Sequence, residues 1–420
     1  MPLEDCIVPV ARYKEITKCR VCGSKNIMHV LSLGHQTLTG VFPQDAGVKV
    51  SSGPLDLVWC PDCGLLQMKQ SYDALEMYGE NYGYRSGLNK SMVEHLTNKV
   101  GMLERMVKFK PTDIVLDIGS NDGTLLKAYE FPCQRVGIDP TIIKFGKYYD
   151  KDIIQIPEFF SEFIFREYFR DGQAKIITSI AMFYDLENPN QFVKEIRNIL
   201  AYDGLWHLEM AYMPSMLRLK AYDAVCHEHL EFYSFRVIKH LLESNGMKVI
   251  DVEMNATNGG SFAVTACKAS APYIPNTPII NWMLGQEDRM QLNTPNPYRV
   301  FETQVYNHRE DLRRLITSLN EDGKVVFGYG ASTKGNVLIQ FCGFTEKDIP
   351  YIADVNPDKH GCVTPGSHIP IISEKDAADL KPDYYLVFPW HFRYGILERE
   401  KEYLKNGGKF IFPMPEIEIV

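Results

Sequence analysis

The chain has 420 residues, more than one ordinary hydrophobic core supports, so two or three folded units are expected. Hydrophobic residues make up 45% and charged residues 23%, which places it with globular proteins and excludes a disordered or membrane-embedded chain. A net charge of -8 argues against a sequence-independent binder of nucleic acid, which needs a basic surface to displace counterions. The first residues, Met1 to Asp5, carry acid where a secretory signal carries base. No apolar run approaches the ~18 residues of a membrane span, so a cytoplasmic location without membrane contact is expected.

The first motif is a pair of pairs. Cys19-Arg20-Val21-Cys22-Gly23 and Cys60-Pro61-Asp62-Cys63-Gly64 each place two thiols across a tight turn. Four thiolates fill the tetrahedral shell of Zn2+ and leave no open position, so a structural zinc site in a ribbon-like module is predicted. The gap between the pairs is long for a minimal ribbon and demands an inserted loop or strand. Cys6, Cys133, Cys226, Cys267, Cys342 and Cys362 are scattered and read as reduced thiols. Between this module and the next lies Tyr78-Gly79-Glu80-Asn81-Tyr82-Gly83-Tyr84-Arg85-Ser86-Gly87, dense in tyrosine and glycine.

Residues 113–126 read as a short apolar strand, a loop containing Gly119, and a helix beginning near Gly123. Asp117 falls at the strand's carboxyl end, where open α/β sheets bind ligands, and Gly119 lets backbone approach one. Arg135 to Asp139 reads as the next strand, ending in an acid about 20 residues on, the spacing that serves a ribose. The loop lacks Gly-x-Gly-x-x-Gly, which weakens a dehydrogenase reading.

Ala221-Tyr222-Asp223-Ala224-Val225-Cys226-His227-Glu228-His229-Leu230-Glu231-Phe232-Tyr233 concentrates groups able to exchange protons near neutrality. Its histidines are two apart, not four, so it is not a zinc-protease signature. The stretch 274–300, rich in Pro and Asn, is expected to be extended or turning backbone that crosses to a last domain, with a helix over 300–320. There, Lys324 to Asn336 repeats strand, Gly-rich loop and helix. Backbone N–H groups with Ser332, Thr333 and Lys334 suit a diphosphate. Tyr351–Asp354 and Asp383–Phe388 extend a parallel sheet.

These motifs, with Asn258-Gly259-Gly260-Ser261, resemble the C-methyltransferases of deoxysugar biosynthesis over nearly the whole chain. Val115 to Gly123 resembles motif I of class I S-adenosylmethionine-dependent methyltransferases, and Ile176 to Asp185 resembles their fourth strand and cofactor-lining loop. The implied fold is α/β in three parts: a zinc-binding domain over 1–75, a class I methyltransferase domain over 76–275, and a Rossmann-like nucleotide-sugar-binding domain over 276–420. The resemblance implies S-adenosylmethionine held by Tyr84, Arg85, Asp117, Gly119, Asn121, Asp139, Pro140 and Ala181. It further implies a nucleotide-diphosphate 4-keto-6-deoxy sugar as substrate, methylated at C3 and contacted by His227, Ser332, Thr333, Lys334 and Asn336. His229 would be the base that forms an enolate, Glu228 would orient and charge it, and Tyr82, Tyr84 or Tyr222 would hydrogen-bond the enolate oxygen.

The chain departs from the family at Cys226, where several members carry tyrosine, a far stronger hydrogen-bond donor. Whether His227 or His229 takes the proton stays open at this level. Methyl transfer to oxygen or nitrogen, or a non-catalytic nucleotide-sugar binder, are the alternatives. A monomer or small homo-oligomer is expected.

Overall fold

The computed structural model describes residues 13–73, 77 and 83–420. The N-terminal part is antiparallel. Strand β1 (Tyr13–Glu15) pairs with β5 (Gln70–Tyr72), while β2 (Met28–Thr37), β3 (Ser52–Trp59) and β4 (Leu66–Met68) form a sheet. Leu55, Leu57 and Trp59 on β3 are buried, and Trp59 stacks on Tyr298 with ring centroids 4.7 Å apart.

A helix, α1 (Lys90–Met106), is capped by Asn89, whose side chain accepts from the Ser91 N–H. It turns Met92, Leu96, Val100 and Leu103, spaced by three or four, onto the next sheet. That sheet has seven strands: β6 (Ile114–Ile118), β7 (Gln134–Ile138), β8 (Ile154–Ile156), β9 (Ala174–Ile180), β10 (Leu200–Ala211), β12 (Met247–Asn255) and β13 (Ser261–Lys268). Their spatial order is β12-β13-β10-β9-β6-β7-β8, parallel from β8 to β10, with β13 running against both neighbours. β6 lies centrally and every residue of it is buried, as a strand covered on both faces must be. The connecting helices include α2 (Thr124–Lys127), α3 (Ile142–Phe145), α4 (Glu162–Phe169), α5 (Pro189–Ile199), α6 (Met213–Leu219) and α7 (Phe235–Ser244).

Between α6 and α7 the chain leaves this sheet. Strand β11 (Glu231–Phe232) pairs with β4 and becomes the edge of the N-terminal sheet, with Glu231 opposite Gln67 and Phe232 opposite Leu66. The proton-exchanging segment is therefore built on two modules at once.

The expected extended crossover at 274–300 is corrected: it holds α8 (Thr277–Arg289) and the start of α9 (Asn296–Glu321). Pro278 and Pro297 fall in the first turns, where a missing N–H costs nothing, so these prolines start helices instead of stopping them. The helix expected over 300–320 is the rest of α9. After it, β14 (Val326–Tyr329), α10 (Thr333–Cys342), β15 (Ile352–Asp354), β16 (Ile371–Ser373), β17 (Tyr384–Val387), β18 (Lys409–Phe412) and β19 (Glu418–Ile419) follow. They form a sheet in the order β16-β15-β14-β17-β18-β19, parallel except for β19. Among the described residues no helix is long and apolar enough to cross a membrane.

Candidate active site and zinc site

The four thiols of the two Cys-x-x-Cys pairs converge. Sγ of Cys19 lies 3.5 Å from that of Cys63, Sγ of Cys22 lies 3.5 Å from that of Cys60, and all four sulfurs fall within 4.8 Å of one another. A Zn–S tetrahedron with bonds of about 2.3 Å has edges of about 3.8 Å, so the donor set fits Zn2+. The two turns are built alike: the Gly23 and Gly64 N–H groups donate to the Cys19 and Cys60 carbonyls, and both glycines are left-handed (φ +72° and +87°). Four thiolates fill the tetrahedral shell of Zn2+ and leave no open position, which makes the site structural.

At the carboxyl end of β6, Asp117 is buried and accepts from Thr178 Oγ1 at 2.6 Å. Burial pushes its carboxyl up to about 7, the Thr178 bond opposing and the Asp139 charge adding. Gly119 is left-handed at φ +74°, and a Cβ there would sit 2.9 Å from Met182 Cγ, so the loop hugs the turn after β9. Asn121 is left-handed too (φ +50°) and is held from three sides. Its N–H donates to Asp139 Oδ2 at 2.8 Å, its Nδ2 to the Tyr84 carbonyl at 3.1 Å, and its Oδ1 accepts from the Ser86 N–H at 3.0 Å.

The Gly87 N–H in turn donates to Asp122 Oδ2 at 3.0 Å, so the segment 84–87 is tied across the motif I loop. The other Asp139 oxygen accepts from the N–H and Oγ1 of Thr141, each at 2.6 Å; burial raises this carboxyl while these bonds lower it. Pro140 borders Asp139 on the half-exposed rim, and Ala181, left-handed and exposed, donates its N–H to the Glu209 carbonyl. Arg85 lies over the Tyr148 ring at 4.1 Å. The Tyr84 side chain is exposed, and Tyr82 lies outside the described residues.

The segment after α6 sets the proton-exchanging groups. His229 Nδ1 lies 2.7 Å from the Ala224 carbonyl, which fixes the proton on Nδ1 and turns the Nε2 lone pair outward. Tyr184 presents its ring edge-on to this imidazole at 4.7 Å, and its carbonyl accepts from the Leu230 N–H. Burial pushes His229 down to about 4, against the Ala224 bond and with help from the Lys334 charge, so the ring is neutral at pH 7. Burial pushes Glu228 up to about 7. The Cys226 sulfur, a Glu228 oxygen and a His229 nitrogen lie within 4.8 Å of one another.

Two expected members of this constellation face elsewhere. His227 is buried in the N-terminal module, T-shaped against Tyr72 at 4.8 Å, because the chain turns through Cys226–His229, where the His229 N–H donates to the Cys226 carbonyl, and this separates the two imidazoles. Tyr222, expected at an enolate oxygen, is fully buried and donates to His308 Nδ1 at 3.1 Å, with its ring edge on Phe341. His308 Nε2 is spent on the Pro413 carbonyl, which leaves Nδ1 to accept.

The start of α10 comes up against this segment. Ser332 caps the helix by accepting from the Gly335 N–H at 3.0 Å. Lys334 Nζ donates to the Asn258 carbonyl at 3.3 Å. Thr333 Oγ1 lies 3.6 Å from the point where a Gly40 Cβ would sit, a point that collides with the Glu228 carboxylate. Asn336, grouped with these from sequence, is instead buried and donates to the Thr39 carbonyl at 2.7 Å, joining α10 to the N-terminal module.

Several contacts of the site could not be read from the sequence. Gly40 lies in an ordinary loop. Asp223, inside the conspicuous string, accepts from Trp390 Nε1 at 2.8 Å, and Gly259, left-handed at φ +89°, backs onto the Trp390 ring.

Known proteins match this arrangement part by part. A zinc binding domain model matches residues 19–78, a methyltransferase domain model residues 95–252, and a C-methyltransferase C-terminal domain model residues 256–415. The C-methyltransferase NovU of Streptomyces niveus is 32% identical over 412 residues, 97% of each chain. Solved structures overlap more narrowly. The complex of the Haloferax volcanii Trm112 methyltransferase activator with its methyltransferase is 17% identical over 43% of this chain and 94% of that one, with a TM-score of 0.35. Magnesium protoporphyrin IX methyltransferase of Synechocystis is 13% identical over 42% of this chain and 78% of that one, with a TM-score of 0.30. With one relative matched end to end and each part matched by its own model, the chain belongs to the C-methyltransferases: an S-adenosylmethionine-dependent enzyme with a four-cysteine zinc site.

Proposed function

We propose that this enzyme methylates C3 of a nucleotide-linked 4-keto-6-deoxy sugar, with His229 as the base. One observation carries the reading: a neutral imidazole with Nδ1 bonded to the Ala224 carbonyl stands between the loop after β9 and the start of α10.

A saturated carbon has no lone pair to attack with, so the proton beside the ketone must leave first. His229 Nε2 takes the C3 proton, and the C–H electron pair moves into an enolate with its negative charge on the C4 oxygen. Ionised Glu228 beside the imidazolium offsets the charge that forms there. S-adenosylmethionine would supply an electrophilic methyl group: as the enolate carbon forms the new C–C bond, the methyl–sulfur bond breaks and its electron pair stays on the sulfur of departing S-adenosylhomocysteine. Asp117, Gly119, Asn121, Asp139, Pro140 and Ala181, with the segment of Tyr84 and Arg85 tied across the loop, are the residues we assign to that cofactor. Ser332, Thr333 and Lys334 at the start of α10 are assigned to the diphosphate, where backbone N–H groups and an ammonium meet. Tyr82 and Tyr84 remain the phenols assigned to the enolate oxygen, since Tyr222 is committed to His308. We place the domain divisions after residues 75 and 275.

The test is mass spectrometry of the enzyme with S-adenosylmethionine and a panel of thymidine- and guanosine-linked 4-keto-6-deoxy sugars, beside His229→Ala. A gain of one methyl that vanishes in the variant, with loss of the sugar C3 hydrogen to solvent, is expected. A methyl gain with the C3 hydrogen retained would mean transfer to oxygen or nitrogen. No gain with any sugar would overturn the substrate class.

A further inference from the structure

Arg20 sits inside the first zinc turn, between Cys19 and Cys22, yet its side chain points into the protein with only 3% of it exposed. Its Nη1 donates to the Met68 carbonyl at 2.6 Å, and its Nη2 donates to the Gln70 carbonyl at 3.2 Å and to Ser71 Oγ at 2.7 Å. These bonds fix β4 and β5 against the zinc turn. The remaining nitrogen, Nε, faces Glu231 Oε1 at 3.7 Å, and the Glu231 side chain is fully buried.

Neither Glu231 oxygen has a hydrogen-bond partner among the described residues. Burial pushes its carboxyl well above the usual carboxylate range, the Arg20 charge opposes that, and Asp185, Glu187 and Cys19 add to it. Glu231 opens β11, two residues after His229, and the Leu230 carbonyl between them accepts from the Met68 N–H at 2.8 Å.

We infer that Arg20 is a positioning residue: the zinc turn fixes its guanidinium, and its packing against the buried Glu231 side chain holds β11 and thereby the His229 imidazole in register. The zinc module then acts on catalysis through this one buried contact. A planar fork with five donors is suited to bond four acceptors, Gln67 Oε1 at 3.4 Å among them, and face a fifth, which an ammonium does less completely. The link to catalysis rests on the His229 reading. The mechanical link from Arg20 to β11 does not.

The test uses full-length, zinc-loaded protein carrying Arg20→Met, Arg20→Lys or Glu231→Gln, with zinc content measured. Hydrogen–deuterium exchange of a peptide spanning 226–233 is read beside methyl transfer. With Arg20→Met, exchange of that peptide should rise at least tenfold while peptides from α9 stay unchanged. The kcat should fall at least tenfold with the KM for S-adenosylmethionine within twofold, and Arg20→Lys should recover part of both. Glu231→Gln leaves both zinc turns intact and should move the same peptide in the same direction. Unchanged exchange over 226–233 in Arg20→Met and Glu231→Gln would overturn the inference. Raised exchange together with full activity of His229→Ala would leave the mechanical link standing and sink the assignment of the base.

Discussion

Replacing Asp117 by Asn should make the cofactor-free enzyme more stable at pH 8 and a poorer binder of S-adenosylmethionine. Burial holds this carboxyl up at about 7 against an ordinary 3.8. At 1.36 kcal/mol per unit, a displacement of three units makes ionising it in the fold cost about 4 kcal/mol. A carboxyl raised by folding gives stability that is complete below its unfolded value and lost as the pH climbs through the folded value, here between pH 4 and about 7. At pH 5 roughly 1.6 kcal/mol is already lost, so the penalty grows by a further ~2.5 kcal/mol up to pH 8. Asparagine keeps an acceptor for Thr178 Oγ1 but does not titrate. The stability gap between variant and wild type should therefore widen by about 2.5 kcal/mol from pH 5 to pH 8, or ~5–10 °C in melting temperature for a domain of this size. Thermal melts at both pH values, with calorimetric titration of S-adenosylmethionine, measure both effects. Parallel melting curves for the two proteins from pH 5 to pH 8 would refute the reasoning.

Activity should rise with pH through about 7 and level off above, because Glu228 must ionise to hold an imidazolium while His229, pushed down to about 4, is neutral throughout that range. Glu228→Gln should flatten the profile and lower kcat by roughly 10–100-fold, as removal of a charge partner for a general base does. In Gly40→Ala the new methyl group collides with the Glu228 carboxylate, so kcat should drop about tenfold or more, as small displacements at a reacting centre do, while zinc content stays at one per chain. Stripping zinc with a chelator should lower the melting temperature and abolish methyl transfer together, since four thiolates gathered at 3.5 Å spacing hold the N-terminal sheet to which β11 belongs. Zinc release followed by a colorimetric dye, beside activity, checks this.

What was legible in the sequence is what the backbone dictates locally. Both Cys-x-x-Cys-Gly turns need a left-handed residue after the second thiol, and glycine supplies it at 23 and 64. The motif I loop likewise shows its left-handed positions as Gly119 and Gly123, and Asp117 and Asp139 fall at strand ends by simple counting. The side chains that were misjudged are those whose direction depends on residues far along the chain. Tyr222 finds His308, and Asn336 finds the Thr39 carbonyl almost 300 residues away. His227 and His229 look equivalent in a string, but the turn closed by the His229 N–H on the Cys226 carbonyl sends one ring to Tyr72 and the other to Tyr184. No pattern in 229–233 announces that its backbone will pair with residues 66 and 67, so Gly40, Arg20 and Glu231 stayed silent.

In the proposed mechanism, the clamped segment gives a reason for three modules to meet at one proton transfer. A base that must meet a C–H bond gains little from a preformed hydrogen bond to it, so its placement has to come from the protein around it. His229 is placed from three sides: Ala224 on its own segment and the Tyr184 loop of the cofactor sheet fix the ring, β4 of the zinc module fixes the strand after it, and α10 of the C-terminal sheet brings up Lys334 and Thr333. Cys226 fits the same logic. It is completely buried, and burial keeps its thiol protonated, so it packs the hinge between these modules and offers the reacting oxygen no usable donor. Cys226 thus serves the clamp, and in the proposed mechanism the negative charge on the enolate oxygen falls to groups outside the segment.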